Sequence, residues 1–474
     1  MKKNLTTKET FTLAIQNHQR NNLKVAENLY KKILKTNPND FQLNFLLGSL
    51  LLQTKNFDEA KHLFQKTLQI QPNHVNAHNN LGIVFKELGE LQKAIGYYEK
   101  AIQIQPSHVG AHYNLGIVFD ELNEFQKAIV CYEKAIQIQP NHVGAHNNLG
   151  NALKELGKYK KAIGFYEKAI QINPNYISAH NNLATTLKWQ KNYKRAINIC
   201  LNSINKNGKT ALIYNILGTI YLELGNQKHA KKCFNESMEL KKGFASVIAR
   251  KYLGFLGVLP FPQQDTNEFL QNYYMRHKHK GWQDLGDSKY YRGRTIIKKA
   301  FNSYFTLKNK ISILDIGCGS GGCGSFLKPH AAKLDGVDLI KEFLEIAKKK
   351  NIYSSLTNMD CIKYLTKKIN AYDLIIAAAV LLHFSNLEKI FDHVYHSLHD
   401  NGHFIFSVFF NDKTSISLDS GNIFNHSHKY IKNICAKSNF VICKYSEHTH
   451  ELEYGSPKKA RVYIVKKKID HCDI

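Results

Sequence analysis

The sequence predicts two architectures in succession: an all-α array of paired helices, then an α/β domain on a mainly parallel sheet. Three observations carry this. A 34-residue period fills the first half. The period ends near Phe244, ahead of a stretch holding Pro260 and Pro262. From Ile311 onward, short apolar runs alternate with helical patterns, as in strands joined through helices. The expected divisions are 1–244 for the array, 245–288 for a linker with a lid helix, and 289–474 for the α/β domain.

Segments starting at Val75, Val109 and Val143 nearly coincide. The first reads VNAHNNLGIVFKELGELQKAIGYYEKAIQIQPSH. Each holds two amphipathic helices around a polar turn, ELGE or ELNE. Leu81, Gly82 and Phe85 mark one inward face; Ala94, Tyr98 and Ala101 mark the facing one. Pro106, Pro140 and Pro174 stop the second helix. A single pair cannot bury its apolar face, so neighbours must stack. The register extends to starts at Thr7, Phe41, Val75, Val109, Val143, Ile177 and Ala211, seven in all. The outer repeats degrade, with Gly208 and Lys242 in the proline's place, as terminal caps do. The period with its L-G, A, Y, A and P offsets resembles the tetratricopeptide repeat (TPR). That resemblance implies a superhelix whose inner groove binds a protein or peptide.

Asn80, Asn114, Asn148 and Asn182 each precede the leucine of that pattern. Stacked repeats would align them as a ladder, and an amide offers both a donor and an acceptor to a peptide backbone. The arrangement resembles the asparagine ladder in the TPR superhelix of O-linked N-acetylglucosamine transferases. Asparagine is also a common filler at this position. His74/His78, His108/His112 and His142/His146 sit four apart, a spacing that can bind metal. No carboxylate or cysteine completes a site, so no metal is expected, and copying of one repeat accounts for the histidines.

Beyond the array, GFLGVLPFPQQD reads as a linker. Helices are expected over Thr266 to Lys278 and from Lys289. Strands are expected at Ile311–Asp315, Lys333–Asp338, Tyr353–Asp360, Tyr372–Ala377 and His403–Phe409. Two late strands, Phe440–Tyr445 and Ala460–Lys466, form an antiparallel hairpin at one edge.

The stretch ISILDIGCGSGGCGSF, Ile311 to Phe326, is the loop to read first, because doubly wound sheets bind ligands at strand carboxyl ends. Gly317, Gly319 and Gly322 fit a dinucleotide spacing. Dinucleotide sites set pyrophosphate against a helix N-terminus and want bare N–H groups there. Asp315 would repel a pyrophosphate. Its charge suits a cofactor carrying an ammonium and a sulfonium, which points to S-adenosylmethionine.

LDIGCGSG, Leu314 to Gly321, resembles motif I of class I S-adenosylmethionine-dependent methyltransferases. The resemblance covers roughly Lys289 to Lys468 and implies a Rossmann-like fold. It maps the motif acid onto Asp315 and the glycines onto Gly317, Gly319 and Gly321. It maps the ribose-binding acid onto Asp338, in GVDL with Leu339. Asp360 then meets the adenine, flanked by Cys361, and the Ala377 and Ala378 backbone lies near the methionine part. A closer resemblance is to predicted TPR-repeat methyltransferases, which pair these domains in this order.

A base is needed only when the methyl acceptor arrives protonated. His383, in LLHF after the fourth strand, is the candidate, since histidine titrates in the useful range. A buried structural histidine is the other reading. The nucleic-acid amino-methyltransferase signature is absent, because this position reads AAAV. Tyr273, Tyr274, Arg276 and Trp282 are candidate lid residues. Lys289, Arg292, Arg294, Lys298 and Lys299 belong to a basic run with Tyr290 and Tyr291 interleaved, fitting either a phosphate backbone or a solvated face.

The chain has 474 residues and a net charge of 65 − 38 = +27. Such charge attracts polyanions, though Lys-rich composition throughout explains it equally. Nine cysteines, odd in number and never C-x-x-C, read as reduced cytoplasmic thiols. No apolar run reaches the ~20 residues of a membrane span. No signal peptide is evident in MKKNLTTKETF. Three functions stay open: a methyltransferase whose array recruits a protein or peptide, a small-molecule methyltransferase using the array for assembly, and a non-enzymatic scaffold. RNA methylation rests on charge alone.

Overall fold

The computed structural model describes residues 6–240, 244–259, 270, 292–412, 416–418, 422–453 and 456–468. Tyr273, Tyr274, Arg276 and Trp282, the expected lid, lie outside the described residues, as do Lys289, Tyr290 and Tyr291. The chain forms two compact units. One takes the residues up to Leu153 with Lys158–Ala179; the other takes Lys154–Gly157 and everything from His180.

Seven helical pairs begin at the seven expected starts. They are α1 Thr7–Gln19, α2 Leu23–Thr36, α3 Phe41–Gln53, α4 Phe57–Ile70, α5 Val75–Glu87, α6 Leu91–Ile104, α7 Val109–Glu121, α8 Phe125–Ile138, α9 Val143–Glu155, α10 Tyr159–Ile172, α11 Ile177–Trp189, α12 Tyr193–Asn207, α13 Ala211–Glu223 and α14 Gln227–Leu240. In five of the seven pairs a ring fills a slot left by a glycine; Ala14 and Ala184 stand at that position in the other two. Tyr98, Tyr132 and Tyr166 are fully buried. A Cβ at Gly82 would stand 2.5 Å from the Tyr98 ring, and one at Gly116 2.6 Å from Tyr132. The helix–helix turn needs a left-handed residue, supplied by Gly89 at φ +78 or by Asn123 at φ +59.

The paired histidines are structural. His74, His108 and His142 are N-caps whose Nδ1 atoms accept the N–H groups of Ala77, Ala111 and Ala145 at 3.1, 2.9 and 3.0 Å. His78, His112 and His146 direct Nε2 at the carbonyls of Pro72, Pro106 and Pro140, at 2.8 to 2.9 Å. Among the described residues no cluster of three metal-ligating side chains occurs.

A fifteenth helix, α15 (Phe244–Phe255), stands where the linker was expected to begin. Its Ala249 and Leu253 share one apolar cluster with Ala230 and Phe234 of α14 and with Ile296, Ile297 and Phe301 of the following domain. The helix expected from Lys289 is described over Gly293–Asn302.

Among the described residues nine strands follow: β1 Ile311–Ile316, β2 Ala331–Asp338, β3 Ser355–Asn358, β4 Tyr372–Ala377, β5 Leu398–Phe409, β6 Ile416–Leu418, β7 Phe424–His426, β8 Phe440–Glu453 and β9 Ser456–Lys467. Strands β3-β2-β1-β4-β5 run parallel in that order. β9 pairs antiparallel along β5, and β8 along β9. The late hairpin is therefore an edge, as expected, but its strands are roughly twice as long as the sequence suggested. β6 and β7, short strands off the end of β5, were not anticipated. The order reverses between β1 and β4, which opens a crevice at their carboxyl ends.

Candidate functional site

The loop after β1 turns on two left-handed glycines, Gly317 at φ +63 and Gly319 at φ +53. Gly317 N–H and Cys318 N–H both donate to the Val337 carbonyl, at 2.8 and 3.2 Å. The loop is thereby stapled to β2. A Cβ at Gly317 would lie 2.3 Å from the Val380 Cγ2, while at Gly319 it would meet nothing. Gly319 faces open space and Gly317 cannot carry a side chain.

The loop floors a cavity at the ends of β1, β2, β3 and β4. Asp315, Gly317, Gly319, Asp338, Leu339, Asp360, Cys361, Ala378 and His383 all line it. Nine sequence-predicted residues from four strand ends thus meet at one place. Gly321 does not line it. It stands at φ +86 before the helix Gly322–Leu327, and its Cβ would face Tyr353 at 3.2 Å.

Asp315 is 1% exposed, and its Oδ2 accepts the Tyr353 hydroxyl at 2.7 Å. Burial pushes the carboxyl up to about 7; the Tyr353 bond opposes this and the nearby Asp338 charge adds to it. Asp338 ends β2 and clamps the loop after β1 to its own loop. Its oxygens accept Gly319 N–H and Ile340 N–H, both at 2.8 Å. Burial raises its pKa and those N–H groups hold it back. Asp360 caps the helix Cys361–Leu365 by accepting Lys363 N–H at 3.1 Å. Burial pushes the Cys361 thiol up to about 12, so it stays neutral at the cavity wall. His383 ends the short helical turn Leu381–His383 and is 4% exposed.

Sequence reasoning missed Tyr353, Val380, Phe343, Phe384 and the cavity-facing role of Arg294. Tyr353 sits in the loop before β3, and no motif marks it. Val380 is the last residue of the AAAV run, and no role was read from it.

The asparagine ladder is bonded within the array. Asn80 Nδ2 donates to Ser49 Oγ at 3.4 Å, Asn114 Nδ2 to Asn79 Oδ1 at 3.0 Å, and Asn148 Nδ2 to the Tyr113 hydroxyl at 3.2 Å. Each bond reaches into the preceding repeat. Asn182 occupies the same position on α11 and is half-buried. The ladder therefore staples repeats together and leaves only part of each amide for a ligand.

Comparison with known proteins follows the same division. Residues 314–404 match the family model described as a methyltransferase domain. Tetratricopeptide-repeat models match residues 41–107, 109–142, 143–176, 165–198 and 211–244. The ubiquinone biosynthesis O-methyltransferase of Coxiella burnetii is 30% identical over 113 residues, 23% of this chain and 48% of that protein. The chain thus spans about half the length of the curated relatives it matches. Among solved structures, MamA is 27% identical over 34% of this chain and 94% of its own, with a TM-score of 0.32. A tetratricopeptide repeat protein from Parabacteroides merdae is 19% identical over 50% and 93%, with a TM-score of 0.41. The chain joins a tetratricopeptide-repeat array to a methyltransferase domain.

Proposed function

We propose that the chain is an S-adenosylmethionine-dependent methyltransferase whose repeats recruit a protein or peptide. The observation that carries this is the convergence of Asp315, Asp338 and Asp360 on one cavity. Three carboxylates around an open glycine loop suit a cationic cofactor with hydroxyls and an amino-purine. They do not suit a pyrophosphate, which would face the Asp315 charge.

When bound, S-adenosylmethionine supplies a methyl group activated by a sulfonium. Asp315 would face the ammonium end, Asp338 the ribose hydroxyls, and Asp360 with Cys361 the adenine. Gly317 and Gly319 let backbone approach closely, with Ala378 beside the methionine part. Val337, Phe343, Met359 and Phe384 give the cavity apolar walls that exclude water. Catalysis then rests mainly on holding acceptor and cofactor in line. His383, at the same cavity, takes the proton of an acceptor that arrives protonated. At the array, Asn80, Asn114 and Asn148 retain amide capacity for a peptide, and Asn182 occupies the same position.

Labelled methyl transfer from S-adenosylmethionine into lysate tests this. Label is expected in a protein band and absent with Asp315→Ala. Label in neither protein nor small molecules would sink the reading. The similarity to an O-methyltransferase of ubiquinone biosynthesis favours a second reading, a small-molecule oxygen acceptor with the array used for assembly. Label would then appear in the small-molecule fraction.

A further inference from the structure

We propose that Tyr353 is a positioning residue that holds the Asp315 carboxylate ready for a cationic cofactor. The inference rests on the cofactor reading above and names the device that makes its central acid usable.

The geometry is built around one ring. Tyr353 lies in the loop before β3, outside the cavity lining, and reaches Asp315 from behind. A Cβ at Gly324 would stand 2.4 Å from its hydroxyl oxygen, and one at Gly336 3.0 Å from its ring. Gly321 closes the slot at 3.2 Å. Three glycines on three segments thus leave space for a tyrosine rather than for a cofactor. Gly321 and Gly324 belong to the glycine-rich loop and helix, so part of that glycine richness serves Tyr353.

A buried carboxyl prefers to be neutral, and a neutral carboxyl attracts an ammonium weakly. A donor aimed at one oxygen favours the charged form. Tyr353 can only act as that donor here, because burial and the Asp315 charge raise its own pKa well above the ordinary value. Other charged or titratable groups around the carboxyl are Asp338, Cys318, Cys323, Arg294, His383 and Asp360. Asp338 works against ionisation, and the two thiols are held neutral by burial.

The test is S-adenosylmethionine affinity by calorimetry on the full chain across pH, for wild type, Tyr353→Phe and Asp315→Asn. Carbon-13 aspartate carboxyl signals of the cofactor-free protein are followed in parallel. For Tyr353→Phe, the pH at which affinity is half-lost and the Asp315 titration should both rise by about one to two pH units, the span of one hydrogen bond to a charged group. Affinity near pH 7 should then fall about tenfold relative to wild type, and the gap from wild type should close by about pH 9, which also shows that the variant folds. In the Asp315→Asn background, Tyr353→Phe should leave the pH dependence unchanged. Wild type failing to bind would overturn the cofactor reading and the role of Tyr353 with it. Wild type binding, with Tyr353→Phe unshifted or equally weak at every pH, would overturn the role of Tyr353 alone.

Discussion

At Asp315 function and stability oppose each other. Its folded-state pKa, about 7, exceeds the ordinary value of 3.8. The folded chain therefore binds more protons between those values, and stability falls as pH rises through that window. Asp315→Asn is expected to raise the melting temperature of the cofactor-free protein at pH 8 more than at pH 4, while weakening cofactor binding. An equal shift at both pH values would contradict this. Gly317 is the second telling residue. Alanine there would carry a left-handed φ, costing about 1–2 kcal/mol, and would strike Val380 at 2.3 Å. Gly317→Ala should lower cofactor affinity at least tenfold, as read by calorimetry, with most of the fold retained by circular dichroism. Asp315, Gly317 and Asp338 were legible because charge and backbone freedom are written in residue type. Tyr353 was not, because its meaning lies in three glycines distant in sequence.

Helix caps set the array's response to acid. His74, His108 and His142 accept N–H bonds on Nδ1, which only the unprotonated ring can do. Burial lowers the pKa of each in the fold. With depressed folded pKa values, their contribution is present above about pH 6.5, the unfolded value, and is lost as pH falls below it. Thermal melting of the Asp315→Asn chain, which lacks the opposing carboxyl, should therefore fall from pH 7.5 to pH 5. Replacing all three by Asp, which still caps when ionised, should flatten that slope. A slope unchanged in the triple variant would exclude the caps as its source. In the same elements, Gly116→Ala would overpack Tyr132 and should cost about 1–3 kcal/mol in denaturant unfolding. The capping role was hidden because histidine is a rare cap and its spacing suggests metal. The ladder was hidden for a related reason: an amide's partner is chosen by the neighbouring repeat.

At the scale of the molecule, within the second compact unit the last repeat and the sheet domain share one apolar cluster through α15. α15 contributes Ala249 and Leu253, 0% and 1% exposed, to the cluster that holds Ile297 and Phe301. Lys251, 3% exposed, donates Nζ to the Asn422 carbonyl and lies 4.4 Å over the Phe424 ring. A chain cut to residues 289–474 would expose that cluster, so it should be poorly soluble or unfold early. A chain from Lys209 onward, retaining α13 to α15, should melt as a folded species. Equal behaviour of the two in scanning calorimetry would show α15 to be dispensable. Among the described residues no helix is long and apolar enough to cross a membrane.

Periodicity alone determined the seven repeats and their starting residues, since a 34-residue copy repeats its packing with its letters. Apolar runs and strand-end acids alone determined the parallel sheet and the loop that matters. Tertiary structure decided what these one-dimensional signals cannot carry. It made a packed helix of the first part of the expected linker and bonded Asn80, Asn114 and Asn148 to neighbouring repeats. It also placed Tyr353 behind Asp315. In each case the deciding partner comes from another element, and contact between distant segments leaves no local period in the chain.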